Sequence, residues 1–138
     1  MCLSISNFSR KHVANEDIVV YKHLLLNKND NTYLTTYMKY EVEIGSIYTS
    51  QLIASHNGCD REVNVGLHSF ADYFNCVGDA EDEMYGLAEE FDMVIVKCVI
   101  PKGAEYYQGV FLGTGYASNM LKYISVMEKI DENYRSLL

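Results

Sequence analysis

His68 and Ser69 are adjacent in the segment GLHSF, and an imidazole beside a hydroxyl group is the pair that nucleophilic catalysis uses. Successive side chains of a β-strand point to opposite faces of the sheet, so these two can act together only where the chain turns. The G-x-S-x-G turn that exposes a catalytic serine is absent from the sequence. The spacing therefore does not predict a serine nucleophile.

The sequence also lacks the spacing of a metal or dinucleotide site. No two of the four histidines lie close together in the sequence: His12, His23, His56 and His68. The acidic residues at 79–83 lack the alternating ligands and the glycine of a calcium loop, and they are typical of a solvated helix face. The GTG at 113–115 lacks the glycine spacing of a dinucleotide-binding turn. We therefore expect no metal and no cofactor.

Tyrosine is the overused residue, with 12 tyrosines and no tryptophan in the chain. A tyrosine ring has an apolar body and a polar tip, which suits ligand stacking and protein interfaces. The alternative is that these rings only fill half-exposed strands, which tyrosine also favours. Tyr106 and Tyr107 are the most suggestive pair, because they follow directly on the turn that Pro101 and Gly103 predict.

Composition and charge narrow the compartment and the partners. The 138 residues carry a net charge of −8, which disfavours binding to phosphate backbones, so we expect no nucleic-acid partner. No apolar run approaches the roughly 18 residues that cross a bilayer, and the N-terminus lacks a signal core, so we expect a cytoplasmic protein without membrane contact. The four cysteines stand far apart and are expected to be free thiols, with Cys98 in the core.

Periodicity predicts a single α+β domain over residues 1–138 with a mainly antiparallel mixed sheet and short helices. The pattern predicts a strand at 17–26, a hairpin turn at 27–31, and strands within 32–50 that bend at Gly45. It leaves open whether residues 1–15 are ordered. A turn is expected at 55–60.

The second half of the chain is predicted to begin with a strand that leads into a helix capped by Ser69. Gly78 and Gly86 predict two short helices rather than one. The apolar segment MVIVKCVI predicts a central strand, which Pro101 ends. We expect a glycine-rich loop at 109–118, a strand rather than a helix at 119–130, and a terminal helix capped by Asp131.

Several of these segments are similar to known proteins. VYKHLLL, GLHSF, VIVKCVIPKGAEYYQG and YASNMLKYI together resemble small uncharacterised proteins of gut Bacteroides-type bacteria and their phages. The order of VVYK, GLHSFADYF, CVIPKGA and YASNMLKYI also resembles that of ADP-ribosyltransferase-like domains. The first resemblance implies no activity, and the second implies a nucleotide-binding cleft.

The departures from the transferase pattern weaken the case for catalysis. Lys22 stands where that family uses Arg or His, and the middle motif has His68-Ser69 in place of Ser-Thr-Ser. Ser118 and Asn119 occupy the region where a glutamate should stabilise the developing positive charge of the transition state. The resemblance therefore favours a cleft of similar shape over a working transferase.

The resemblance implies a ligand-binding cleft lined by Lys22, His68, Ser69, Tyr106, Tyr107 and Ser118. Our leading hypothesis is a non-catalytic cytosolic binding protein, of phage origin, that holds a small nucleotide-type ligand or a host protein. One alternative is an NAD-using mono-ADP-ribosyltransferase with Glu105 or Glu128 as its acid. Another is an assembly protein that forms homo-oligomers through its tyrosine-rich sheet. Structural roles also remain open, with Lys22 as an edge charge, His68 as a core histidine and Ser69 as a cap only.

Overall fold

A computed structural model describes residues 3–57, 60–111 and 113–130 of the chain. These residues form thirteen strands and one helix. In chain order the strands are β1 (Leu3–Ile5), β2 (His12–Val13), β3 (Ile18–Asn27), β4 (Thr32–Thr35), β5 (Glu41–Val42), β6 (Ile47–Thr49), β7 (Ile53–Asn57), β8 (Asp60–Val65), β9 (Leu67–Phe70), β10 (Phe91–Ile100), β11 (Glu105–Val110), β12 (Thr114–Ser118) and β13 (Met120–Ile130). The helix α1 spans Tyr73–Glu83.

All of these strands belong to one sheet, which curls into a half-barrel. Ten of them follow the order β6-β13-β10-β3-β9-β12-β11-β1-β8-β7. Off this path, β2 pairs with β11, while β4 pairs with both β3 and β5. Every pairing in the described sheet is antiparallel. The predicted antiparallel α+β domain is confirmed at this level.

Strands β3 and β10 are buried on both faces, as their nearly continuous apolar sequences predict. Their alternate side chains enter two different cores. The first core contains Val20, Leu24, Val94, Val96 and Cys98, together with residues of β13, and partly buried side chains of β9 and β12 pack against it. The second core contains Leu25, Met93, Ile95, Cys76 and Ala80, and it lies between the sheet and α1. The predicted strands at 17–26 and 93–100 and the core position of Cys98 are therefore confirmed.

The predicted turns and the last described strand are also confirmed. The chain turns at 28–31 between β3 and β4, and Asn31 adopts a positive φ of 59° there. Pro101 ends β10, and Gly103, with φ of 90°, completes the turn into β11. Residues 120–130 form β13, so the preference for a strand over a helix in this segment is correct.

The helix region differs from the prediction in two ways. One helix is present where two were expected, because Gly78 lies on the exposed side of α1 and does not break it, while Gly86 follows its end with φ of 76°. Ser69 is not the helix cap, because it lies within β9. Asp72 caps α1 instead, and its carboxylate accepts hydrogen bonds from the backbone N–H groups of Phe74 (2.7 Å) and Asn75 (3.4 Å).

The segment predicted as a glycine-rich loop is a β-hairpin. Strands β11 and β12 pair across it, with Gly109 directly opposite Gly115. A Cβ atom on Gly109 would collide with the backbone carbonyl of Ser4 on the neighbouring β1, and one on Gly115 would lie 3.0 Å from the Leu3 side chain. Glycine here permits close strand packing rather than a loop.

Two predicted features lie partly or wholly outside the described residues. The turn predicted at 55–60 is wrong for residues 55–57 and 60, which belong to β7 and β8, and residues 58 and 59 lie outside the described chain. The terminal helix that Asp131 was expected to cap lies outside the described residues. Within the described residues, no helix has the length and apolar character needed to cross a membrane.

Candidate functional site

A cavity of about 770 Å³ opens where the sheet forks beside β3. One edge of β3 pairs with β10 along its whole length. The opposite edge has two partners, since Tyr21 pairs with Phe70 of β9 and residues 24–27 pair with β4. Lys22 and His23 lie between these two partners, and both line the cavity. Residues of β5, β6, β8, β9, β12 and β13, together with the segment that joins β4 to β5, supply most of the remaining lining.

Lys22 is the cation of the cavity wall. Its Nζ donates a hydrogen bond to the backbone carbonyl of His68 at 2.8 Å, and this contact fixes the ammonium group beside β9. Burial lowers the pKa of Lys22, against a smaller opposing influence of the thiols of Cys98 and Cys76. Among the described residues, no carboxylate lies within ion-pair distance of this ammonium group.

Ser69 is the second polar group of this wall. Its side chain lies opposite Tyr116 in the β9–β12 ladder, and the residue is 6% exposed. Ser69 directly follows His68, whose carbonyl accepts the hydrogen bond from Lys22, so Ser69 lies near Lys22. In the described chain, Ser69 Oγ is the buried side-chain oxygen that lacks a hydrogen-bond partner.

His68 lines the cavity, and both of its ring nitrogens lie near backbone carbonyl oxygens, of which a neutral ring can donate to one. Nε2 lies 3.0 Å from the carbonyl oxygen of Val63, and Nδ1 lies 3.2 Å from that of Gly66. Burial lowers the pKa of His68, and the nearby Lys22 ammonium adds to the effect, while the two carbonyls oppose it. The neutral ring is therefore a structural anchor, and the residue serves the cavity mainly through the carbonyl that holds Lys22.

A chain of hydrogen bonds runs from the cavity lining at His23, Thr36 and Tyr37 to α1. His23 Nε2 lies 2.6 Å from Asp79 Oδ2 of α1, and His23 Nδ1 lies 2.7 Å from Thr36 Oγ1. The Thr36 hydroxyl also lies 3.1 Å from the carbonyl oxygen of His23, to which it can donate. Tyr37 donates to Glu83 at 3.1 Å. This chain joins β3, the segment after β4 and α1, so it holds the mouth of the cavity in shape.

Aromatic rings supply most of the remaining surface. Tyr48 and Tyr123 meet edge to face with ring centroids 5.5 Å apart, and Phe70 meets Phe111 at 5.9 Å. Burial raises the pKa of Tyr123 and of Tyr116, so both phenols stay neutral at physiological pH. The cavity thus combines flat apolar surface with a small polar corner, which is the usual composition of a small-molecule site.

The structure brings together three of the six predicted site residues. Lys22, His68 and Ser69 line the cavity, whereas Tyr106, Tyr107 and Ser118 lie outside its lining. Tyr106 stacks on His12 at 5.4 Å between ring centroids.

The two other predicted residues outside the lining, Tyr107 and Ser118, contribute to the packing of the sheet. Tyr107 is buried in a third core with Leu3 and Ala117, and the Arg61 guanidinium lies 5.6 Å from its ring centroid. Ser118 Oγ donates to the carbonyl of Met120 at 2.9 Å.

The cavity also uses residues that the sequence did not suggest. His23, Tyr48 and Tyr123 come from three different strands and Thr36 from the segment after β4, and their spacing in the sequence carries no motif. The nearest signal was His23 itself, adjacent to Lys22 in the segment VYKHLLL. Only the fork in the sheet brings these four residues together.

Within residues 3–57, 60–111 and 113–130, no group of three or more metal-ligating side chains converges. Cys76 and Cys98 are buried free thiols, and burial raises the pKa of Cys98 to about 12. A comparison with protein-family models, with curated proteins and with solved structures finds no match to this chain.

Proposed function

We propose that this protein is a non-catalytic cytoplasmic binding protein whose forked cavity holds a small nucleotide-type ligand. The observation that carries the proposal is the cavity of about 770 Å³ beside β3, with its aromatic walls and a lysine. Small-molecule sites usually measure about 300–1,000 Å³, bury flat apolar surface and contain a few polar groups. A nucleotide has a flat ring for the aromatic surface and an anionic group for Lys22.

The positions of the carboxylates favour binding over transferase chemistry. Glu105 lies 3.6 Å from the ammonium group of Lys11 at the surface, and Glu128 is exposed on β13. Neither of these lines the cavity, although the transferase alternative needs one of them beside the ligand. The carboxylate that does line it is Glu41, which is exposed on β5.

The resemblances noted in the sequence support a regulatory role for such binding. An order of elements similar to that of ADP-ribosyltransferase-like domains supports a nucleotide as the ligand class. The similarity to proteins of Bacteroides-type bacteria and their phages supports a phage origin, in which sequestering a nucleotide signal would counter a host defence.

Calorimetric titration tests this proposal with AMP, cyclic AMP, NAD, ADP-ribose and adenosine. The blocking variant is Val65→Trp, because Val65 lines the cavity and is 36% exposed. The matched control is Val126→Trp, because Val126 lies outside the lining with a similar exposure of 39%. We expect at least one nucleotide to bind the wild type and the control, with about a tenfold or greater loss of affinity in Val65→Trp, equivalent to about 1.4 kcal/mol.

Two results would contradict the proposal. One is the absence of binding by every compound in the set. The other is equal affinity of the wild type and the folded Val65→Trp variant, because the ligand would then occupy another surface.

A further inference from the structure

Two unsatisfied polar groups meet on one wall of the cavity. Lys22 is a partly buried ammonium group without a carboxylate partner among the described residues, and Ser69 is a buried hydroxyl without any hydrogen-bond partner. Each is an exception to a general rule, since buried charges are normally paired and buried polar atoms are normally hydrogen-bonded. Because Lys22 and Ser69 lie on adjacent strands, a single bound group would explain both exceptions.

We propose that the anionic group of the ligand, a phosphate or a carboxylate, binds between Lys22 Nζ and Ser69 Oγ as the counter-ion that the described chain does not supply. This inference rests on the proposed binding function and specifies which end of the ligand enters the fork. The apolar end then lies against the aromatic surface that includes Tyr48 and Tyr123.

The hydrogen-bonding capacity of Lys22 fits this role. An ammonium group has three N–H donors, and the carbonyl of His68 at 2.8 Å accepts one of them. That bond orients Nζ and leaves two donors for an anion. Burial also lowers the pKa of Lys22, and an anion beside it would reverse that effect by stabilising the charged form.

The position of Ser69 supplies the second contact. Lys22 Nζ is bonded to the carbonyl of His68, the residue directly before Ser69, so Lys22 and the unpartnered Ser69 hydroxyl can reach one anionic group. The β9–β12 ladder places Tyr116 opposite Ser69. Tyr116 also lines the cavity, and its phenol extends the polar corner.

The protein's overall charge makes a local cation necessary for such a ligand. A net charge of −8 repels small anions from the surface, so binding depends on a withdrawn positive group inside the cavity. The His23–Asp79 pair cannot serve in its place, because His23 already contacts Asp79 and Thr36 through both ring nitrogens.

A distinctive consequence concerns the protein without ligand. If Lys22 is an unpaired charge kept for a ligand, replacing it with an apolar side chain of similar length removes a desolvation cost. Lys22→Met should then raise the melting temperature of the free protein while it abolishes the response to anions. A lysine with a structural role only would give the opposite change in stability.

Thermal unfolding of the wild type and three variants tests the inference. The variants are Lys22→Met, Ser69→Ala and the control Lys97→Met, whose lysine is partly buried on β10 but does not line the cavity. The probes are inorganic phosphate, AMP, adenosine and benzoate, added at matched ionic strength. A probe at about a hundred times its Kd should raise the wild-type melting temperature by roughly 10 °C.

We expect phosphate and AMP, or benzoate, to stabilise the wild type and Lys97→Met, and we expect a smaller shift in Ser69→Ala and none in Lys22→Met. A shift with benzoate alone assigns a carboxylate, and a shift with phosphate and AMP alone assigns a phosphate. The inference is overturned if Lys22→Met responds to the anions as the wild type does, or if no anion shifts the wild type. Lys22→Gln, which keeps a donor for the His68 carbonyl without the charge, replaces Lys22→Met if that variant does not fold.

The two proposals fail in different ways. Adenosine binding without any effect of the anions would retain a nucleotide-type cavity and remove the anion site. Stabilisation by phosphate or benzoate through Lys22, without binding of any nucleotide, would retain the anion site and remove the nucleotide as ligand.

Discussion

The buried polar groups around the cavity are of two kinds. His23 is 3% exposed and Asp79 is 5% exposed, and each has its partner within the protein at 2.6 Å. Among the described residues, Lys22 has no carboxylate partner and Ser69 Oγ has no hydrogen-bond partner. The first kind holds the fold together, and only the second kind is left with capacity for a ligand. This contrast separates structural groups from binding groups without any reference to relatives.

A prediction at the residue scale concerns the pH dependence of stability. Burial lowers the pKa of His68 below its ordinary value of 6.5. As the pH falls below 6.5, the unfolded chain takes up a proton at His68 before the folded protein does, so the free energy of unfolding decreases. The decrease continues until the pH reaches the folded pKa, with a slope of at most about 1.4 kcal/mol per pH unit.

Urea denaturation between pH 7.5 and pH 5 of the wild type and His68→Gln checks this prediction. The wild type should lose more stability than the variant over this interval, because the variant has no imidazole to protonate. His12→Gln is the matched control, since His12 is exposed, and it should keep the wild-type dependence. Parallel curves for the wild type and His68→Gln would contradict a neutral, buried His68.

The residue scale also explains why the two predicted tyrosines lie outside the cavity lining. Tyr106 and Tyr107 are adjacent on β11, so their side chains point to opposite faces of the sheet. Tyr107 enters the third core and Tyr106 packs on His12. Lys22 and Ser69 were selected through a resemblance, and nothing in their separation of 47 positions indicates that they lie near each other.

At the scale of elements, glycine has two structural roles in this chain that the sequence does not distinguish. Gly103 marks a turn with φ of 90°, as predicted. Gly109 and Gly115 instead lie within paired strands, where β1 approaches so closely that a side chain has no room. A local pattern shows the glycine but not the strand that crosses it, since β1 comes from the other end of the chain.

Two alanine substitutions separate these roles by the sign of their effect. Gly109→Ala should lower the free energy of unfolding by about 1–3 kcal/mol, because the added Cβ collides with the backbone carbonyl of Ser4. Gly78→Ala should raise it by up to about 1 kcal/mol, because Gly78 is an exposed interior residue of α1 with open space around it. Chemical denaturation of both variants provides the measurement. A neutral Gly109→Ala would mean that β1 does not lie against β11 as described.

At the scale of the whole molecule, the sheet consists of two well-paired parts joined at one narrow seam. β3 and β10 pair over ten residues each, whereas β3 and β9 are joined at Tyr21 and Phe70 in the described register. The cavity lies where this seam opens into the fork. The strong strands were predictable because apolar runs signal burial locally, but the seam depends on which distant strands meet, and no local pattern encodes that.

The seam predicts an uneven resistance to local opening. Amide hydrogens of β10 are bonded on both sides, to β3 and β13, so they should exchange with solvent only on global unfolding. Amides of β9 that face β3 rather than β12 should exchange about tenfold faster or more, since separating β9 from β3 breaks a short ladder, and a tenfold ratio corresponds to an opening free energy about 1.4 kcal/mol lower. Hydrogen exchange followed by NMR or mass spectrometry measures both strands in one sample.

The same measurement links the seam to binding. A ligand that contacts Lys22 on β3 and Ser69 on β9 bridges the seam, so binding should slow exchange in β9 while the rate in β10 stays tied to global stability. AMP or phosphate, whichever stabilises the wild type, is the probe, and Lys22→Met is the control in which β9 should remain fast. Equal rates for β9 and β10 in the free protein would show that the two parts open together, and the cavity would then lie within a rigid sheet.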